Sequence, residues 1–389
     1  MLSMGLSAAD VARFETGLLA DHRTRVLVQV LDLDHNVVSE ANDVVLSGSV
    51  DVDATAEVSR TCQMEIWDPT CQLNLDQGAG PAQAALYADR MVQVHYCVWS
   101  DELPRWVNVP VFTGPITSLK RSRETLSLTA KGKESMLQTG QNRWWSFPAG
   151  AIKTTAIKNV LSRSGERHQD IPHWSSKLSS PLSITSQEPP WPVLQRLARS
   201  LSNASRGTDP TLYYNGAGWC RLRSYNRSSR WTFRRGVDFL SKPDLTFNVE
   251  ATRNIVAAHG AKGVSASAKL PASDPLSAQS LSRGGVERWL LEVISNDGWT
   301  SKASCAAAAR QRLNQLRTAA VQMELETVCI PHLEDRDVVT IDAGDWTWRM
   351  QLMKFSIPLD GSSSMQIGRT VTTRRLTRRH PVKRKGPRR

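Results

Sequence analysis

VFTGPITSLKRSRETLSLTAKGKESML, residues 111–137, decides the fold class. Within it, residues 116–120 and 125–130 read as two short strands separated by polar residues. Working outward, residues 106–112 and 91–99 carry the same pattern, with Val92, Val94, Tyr96 and Val98 on one face. Further back, Cys62, Met64 and Ile66 alternate with Gln63, Glu65 and Trp67 over 61–68, and strands are also expected at 25–33 and 44–53. A period of two over such lengths means half-buried antiparallel strands. Many short strands punctuated by Gly, Pro and Asn point to a closed or nearly closed β-barrel or sandwich, ending near Gly140.

Ahead of this β-rich segment, residues 7–20 open with Ser7 as an N-cap and place Val11, Phe14 and Leu18 at helical spacing. The character changes after Gln141. Residues 153–164 and 190–202 read as helices, 169–189 as a Ser/Pro-rich connection, and 211–225 as two strands flanking the turn Asn215-Gly216-Ala217-Gly218. A helix with a hairpin implies a small α+β unit. Strands are expected again at 245–257, 320–330, 338–342, 346–358 and 365–372, with an alanine-rich helix at 301–317 and a polar loop at 270–285. The expected organisation is therefore a β-rich unit at 1–140, a mixed α/β unit at 141–243, a second β-rich unit at 244–372 and a tail at 373–389.

A chain of 389 residues is long enough for two or more cores. Its net charge of +12 looks like a nucleic-acid signal until the charge is located. From Arg369 onward the chain carries ten Lys or Arg and no acid, which leaves 39 bases against 37 acids in residues 1–368. The body is close to neutral and the basicity belongs to a tail, expected to be ordered only by a partner. No window approaches the length of a spanning helix, so no membrane insertion is expected, and the N-terminus lacks the features of a secretory signal, which implies synthesis in the cytoplasm. The six cysteines, Cys62, Cys71, Cys97, Cys220, Cys305 and Cys329, form no CxxC pair and read as buried free thiols.

Chemical readings compete with plainer ones at each candidate position. His168 and His173 lie five apart near Asp170 but lack a third partner of matching metal-ligand spacing, so they read as loop residues. Asp32, Asp34 and Asn36 alternate like calcium ligands, yet no closing Glu follows, and a turn is the simpler account. Asp51 and Asp53 read as the solvent face of a strand. Gly78-Ala79-Gly80 precedes Pro81 and not a helix, so it is a loop, not a phosphate cradle. Trp144 and Trp145 suit core or intersubunit packing better than a carbohydrate surface. GxSxG, HExxH and P-loop motifs are absent, and no catalytic, cofactor or metal residue is assigned.

Several weak motifs in a fixed order carry a family resemblance. Residues 111–137 resemble the F-x-G-x-I … L-x-A-x-G strand pair of the tail hub proteins of tailed bacteriophages. Residues 190–205, followed by TLYYNGAGWCRLRSY at 211–225, are similar to the helix and hairpin of that family's second domain. Residues 253–263, the helix around 306–316 and LEDRDVVTIDAGDWTWRMQLMKFSIPLDGSSSMQIGRT at 333–370 resemble its second barrel. The resemblance spans roughly residues 25–372. One departure is Arg336-Asp337, where the family commonly has Gly-Asp, so the tight turn is expected to be remade locally. Many relatives carry a further C-terminal lysin or fibre domain, and this chain ends in a basic tail instead.

The resemblance implies two tail-tube-like β-barrels flanking a smaller mixed domain. It also implies a homotrimeric ring that adapts a hexameric tube to threefold tip components. The implied partners are further copies of the chain, a tail-tube or distal tail protein, a tape-measure protein and fibre or tip proteins, with transient DNA contact. The implied location is the virion tail tip, without enzymatic activity. A hexameric distal tail or tube-like protein is the sister reading. A tail-associated cell-wall hydrolase and a nucleic-acid-binding protein are the rivals from other classes.

Overall fold

The computed structural model describes residues 4–69, 90–201, 210–223, 228–241, 243–247, 252–274, 276–296, 299–319, 321–344 and 346–376. The first part of the chain forms helix α1 (Ala8–Gly17) and strands β1 (His22–Leu31), β2 (Val37–Asn42), β3 (Val45–Asp53), β4 (Arg60–Trp67), β5 (Met91–Ser100), β6 (Leu103–Ser122) and β7 (Thr125–Lys131). The middle forms β8 (Trp145–Phe147), α2 (Lys153–Arg163), β9 (Gln169–Asp170), β10 (Leu182–Ile184), α3 (Pro190–Arg199), β11 (Thr211–Tyr214) and β12 (Cys220–Arg223). The last part forms β13 (Trp231–Arg234), β14 (Asp244–Phe247), β15 (Ile255–His259), β16 (Ser265–Lys269), β17 (Leu291–Ser295), α4 (Lys302–Ala319), β18 (Val321–Val328), β19 (Val338–Asp342), β20 (Thr347–Pro358) and β21 (Ser364–Leu376). Ser7 caps α1, its Oγ accepting from the Asp10 amide at 3.1 Å.

Thirteen strands join in one mainly antiparallel sheet, in the order β14-β18-β21-β20-β3-β4-β7-β6-β5-β1-β2, with β19 beside β20 and β13 beside β19. The alternation read in β4 and β5 holds. Cys62, Met64, Ile66, Val92, Val94, Tyr96 and Val98 are all buried in one core, together with Phe233, Ile341, Met350 and Phe355 from the other end of the chain. Two separate closed barrels were expected, but no closed barrel is found among the described residues. The reason lies in β20, which is twelve residues long and, with β21 along one edge, serves two neighbours along the other. Its first half pairs with β19 and its second half, from Lys354, pairs with β3. A strand shared in this way fuses the two β-rich segments instead of closing either.

Residues 106–112 and 116–120, expected as separate strands, belong to the single strand β6. Gly114 and Pro115 between them make no turn: they pair in register with Val92 and Met91, and the register shifts fall on either side, at Val111 against β5 and at Thr117 against β7. Gly114 sits where a Cβ would lie 2.0 Å from the Lys131 carbonyl oxygen, so only glycine lets the strand pass. The last strand, β21, runs to Leu376, four residues past the expected end at Thr372, and pairs Arg374 with Arg349 and Leu376 with Thr347. Residues 377–389 lie outside the described residues.

Two smaller cores complete the molecule. Helices α2 and α3 pack with the β11–β12 hairpin around Trp145, Ile157, Leu161, Trp191, Leu194 and Tyr214, and Leu137, from the turn after β7, enters the same core. The sheet β16-β15-β17 is covered on one face by α4, through Val256, Ala258, Cys305, Ala309 and Leu313. No helix among the described residues is long and apolar enough to cross a membrane.

Candidate functional site

The turn between β1 and β2 is built by Asp32. Its carboxylate accepts from the amides of Asp34 and Asn36 and from the Asn36 side chain, at 2.8–2.9 Å. These bonds, first among them that from the Asn36 side chain, lower the Asp32 pKa. Asp34 is spent on Arg167, at 2.7 Å. The three residues thus close a turn and do not converge on a cation. The turn holds His35 in a left-handed conformation, φ 64°, and aims its ring toward the middle segment.

There His35 meets Lys133, from the short 3-10 turn after β7. Lys133 Nζ donates to His35 Nε2 at 3.0 Å and to the Gly218 carbonyl at 3.3 Å, and pairs with Glu166 Oε2 at 2.7 Å. Both Lys133 and Glu166 are buried. The His168 ring stacks on His35, with centroids 3.7 Å apart and planes 11° from parallel, and meets Trp219 edge-on. Burial first, then the Lys133 charge, pushes the His35 pKa down to about 3, and the same causes lower that of His168. His168, Asp170 and His173 do not come together. Asp170 pairs with Arg221 at 2.6 Å, and His173 faces solvent.

A second polar cluster lies deeper, where the β-rich segments meet. Arg60 donates to the Val111 carbonyl and lies 3.7 Å from Asp335, both side chains being almost fully buried. Ser59 donates to Glu134 at 2.6 Å, and Arg223 pairs with buried Glu334 at 2.6 Å. Burial raises the pKa of both Glu134 and Asp335. Arg336 stands at the position where the resembled family commonly has glycine, and it keeps a left-handed φ of 63°. Its guanidinium donates to Thr211 Oγ1 at 2.6 Å and to the Ala54 carbonyl at 2.7 Å, tying β11 of the middle segment to the end of β3. The tight turn is therefore retained, and the side chain that strains it also ties three segments together.

Lys133 with Glu166 and Arg223 with Glu334 are close pairs around buried carboxylates, whereas Arg60 with Asp335 is a looser one and Glu134 is held by the Ser59 hydroxyl. Among the described residues no group of three or more His, Cys, Asp or Glu is placed to hold a metal ion. Five cysteines, Cys62, Cys97, Cys220, Cys305 and Cys329, are buried free thiols. Cys71 and Gly78-Ala79-Gly80 lie outside the described residues. Trp145 is core, whereas Trp144 is 67% exposed. Asp51 and Asp53 stand half-buried on β3, where Asp53 accepts from the amide and hydroxyl of Thr55.

Sequence reasoning missed Lys133, Glu134, Glu166 and His35. The one available signal was the pair Lys133-Glu134 lodged between the apolar residues Ala130 and Leu137.

The architecture that holds this junction has solved counterparts. A 43 kDa tail protein of prophage MuSo2 from Shewanella oneidensis matches with a TM-score of 0.62 at 12% identity, over 89% of this chain and 98% of its own. The fold is that of prophage tail proteins. A tail protein from Neisseria meningitidis matches equally, with a TM-score of 0.62 at 13% identity, over 90% of this chain and 96% of its own. Tail protein gp18 of a Listeria monocytogenes prophage gives 0.53 at 10% identity, over 91% and 95%. No family model matches the sequence, and no curated protein does. At 10–13% identity the likeness is one of fold.

Proposed function

We propose that this chain is a structural protein of a bacteriophage tail, a hub at the tail tip that works by assembly and not by catalysis. The observation that carries the proposal is the match of nearly the whole chain to nearly the whole of two tail proteins, one of them from a prophage. The buried polar clusters support it, since their charged groups tie distant segments of the chain together. On this reading the two β-rich segments, joined through β20 and β3 in one sheet, are the tail-tube-like units. Three copies would then present six such units to a hexameric tube and a threefold face to fibre or tip components.

The partners that follow are further copies of the chain, a tube or distal tail protein, a tape-measure protein and fibre or tip proteins. The seven bases that follow β21, from Arg378 to Arg389, supply an arm for an acidic partner or for DNA passing through the tail. No cofactor is required. Gold-labelled antibody against the chain, applied to purified particles, should mark the tip of the tail and no other site. Labelling along the whole tube would favour the tube-protein reading. Zymography on peptidoglycan should give no clearing, and a clearing zone abolished by one Asp or Glu substitution would establish the hydrolase reading instead.

A further inference from the structure

The contact between the β1–β2 turn and the middle segment runs through two stacked histidines and the Asp34–Arg167 pair. An ammonium group has three donors and no acceptor, so the 3.0 Å contact between Lys133 Nζ and His35 Nε2 requires a lone pair on that nitrogen. Protonating His35 places two donors and two positive charges against each other. The stacked His168 ring stands face to face with His35, and charging both would set two imidazolium rings 3.7 Å apart.

The other charges facing the pair are few, and they are committed. Glu166 lies 2.7 Å from Lys133 and 3.9 Å from His168 Nδ1. Asp34 is held by Arg167, and Asp32 caps its own turn. From the β11–β12 loop come only the Gly218 carbonyl and the Trp219 ring. The loop cannot move closer to compensate. A Cβ at Gly218 would already lie 3.0 Å from His35 Cε1, and Gly216 rests against the Pro110 carbonyl.

We propose that His35, His168 and Lys133 form an acid-sensitive latch that releases the β1–β2 hairpin from the middle segment when the two histidines take up protons. The hairpin is suited to such release. β2 is the edge of the large sheet, and Leu33, Val37 and Val38 on this hairpin are exposed apolar residues.

The direction of the pH dependence follows from linkage. The closed state holds His35 neutral down to a pKa of about 3, whereas an opened hairpin returns it toward 6.5. The latch is therefore fully closed above 6.5 and weakens as pH falls from 6.5 toward 3. Between pH 7.5 and 5.0 the opening equilibrium rises about 30-fold from His35 alone. His168, shifted the same way, adds to it.

Amide hydrogen exchange of the full chain, corrected for the intrinsic pH dependence of exchange, reads this directly. Protection of peptides covering 32–42 and 215–222 should fall by about 30-fold or more on going from pH 7.5 to 5.0, while the β4 and β5 peptides hold theirs. In a chain carrying His35→Asn, which tolerates the left-handed turn, and His168→Phe, which keeps the stack, the fall should vanish. Unchanged protection in the wild type would overturn the proposal. So would loss of protection throughout the chain, or a fall that persists in the double variant. Should the double variant not fold, the wild-type series alone still decides.

Discussion

Replacing Arg336 with glycine sets two opposed effects against each other at one position. The left-handed φ of 63° costs an L-residue about 1–2 kcal/mol, which glycine would recover. Against this, the substitution deletes the guanidinium bonds to Thr211 and to the Ala54 carbonyl. Hydrogen bonds from a charged donor contribute roughly 1.5–3 kcal/mol each. The bonds win, and Arg336→Gly should lose about 2 kcal/mol despite restoring the residue that the resembled family prefers. Arg336→Ala keeps the strain and loses the same bonds, so it should fall about 1 kcal/mol further. Urea titration followed by tryptophan fluorescence should rank the midpoints wild type, then glycine, then alanine. A glycine variant at least as stable as the wild type would refute the claim that this side chain ties the three segments together.

Other outcomes follow from the same packing. Lys133→Met leaves Glu166 buried without its cation and should cost about 3–5 kcal/mol in urea unfolding, much of it recovered by adding Glu166→Leu. Gly216→Ala puts a methyl 2.3 Å from the Pro110 carbonyl oxygen, so it should loosen the β11–β12 loop from β6 and lower the unfolding midpoint. Trp144→Ser should leave the midpoint unchanged within about 0.5 kcal/mol, because the ring faces solvent. Truncation after Leu376 should leave thermal unfolding unchanged. Truncation after Thr372 should lower the midpoint, since it strips β21 of its pairing with residues 347–349.

Much of the sheet was legible because its strands bury one face. β4 and β5 fell where the alternation placed them, and β19 formed where a strand was expected, with Val338, Val339 and Ile341 in the core. β16 and β17 were missed for the opposite reason. Ser-Ala-Ser-Ala-Lys offers no large apolar residue to either face, and β17 turns Leu291 and Val293 outward, so neither shows the usual contrast. The open sheet was not legible, because the sharing of β20 between β19 and β3 depends on a pairing between distant parts of the chain. The same holds for the junction. Arg60 with Asp335, and Lys133 with Glu166, are ordinary surface-type residues in sequence and become buried pairs only when three segments meet. Arg336 was visible as a departure from Gly-Asp, but its two tethers to other segments were not.

The account rests on assembly, and ring symmetry tests it most directly. Electron microscopy of intact tails, reconstructed at the tip without imposed symmetry, should show three copies of this chain around a central lumen, each presenting two β-rich units toward the tube. Six copies in one ring at that position would contradict the hub reading and make the chain a distal tail or tube-like protein.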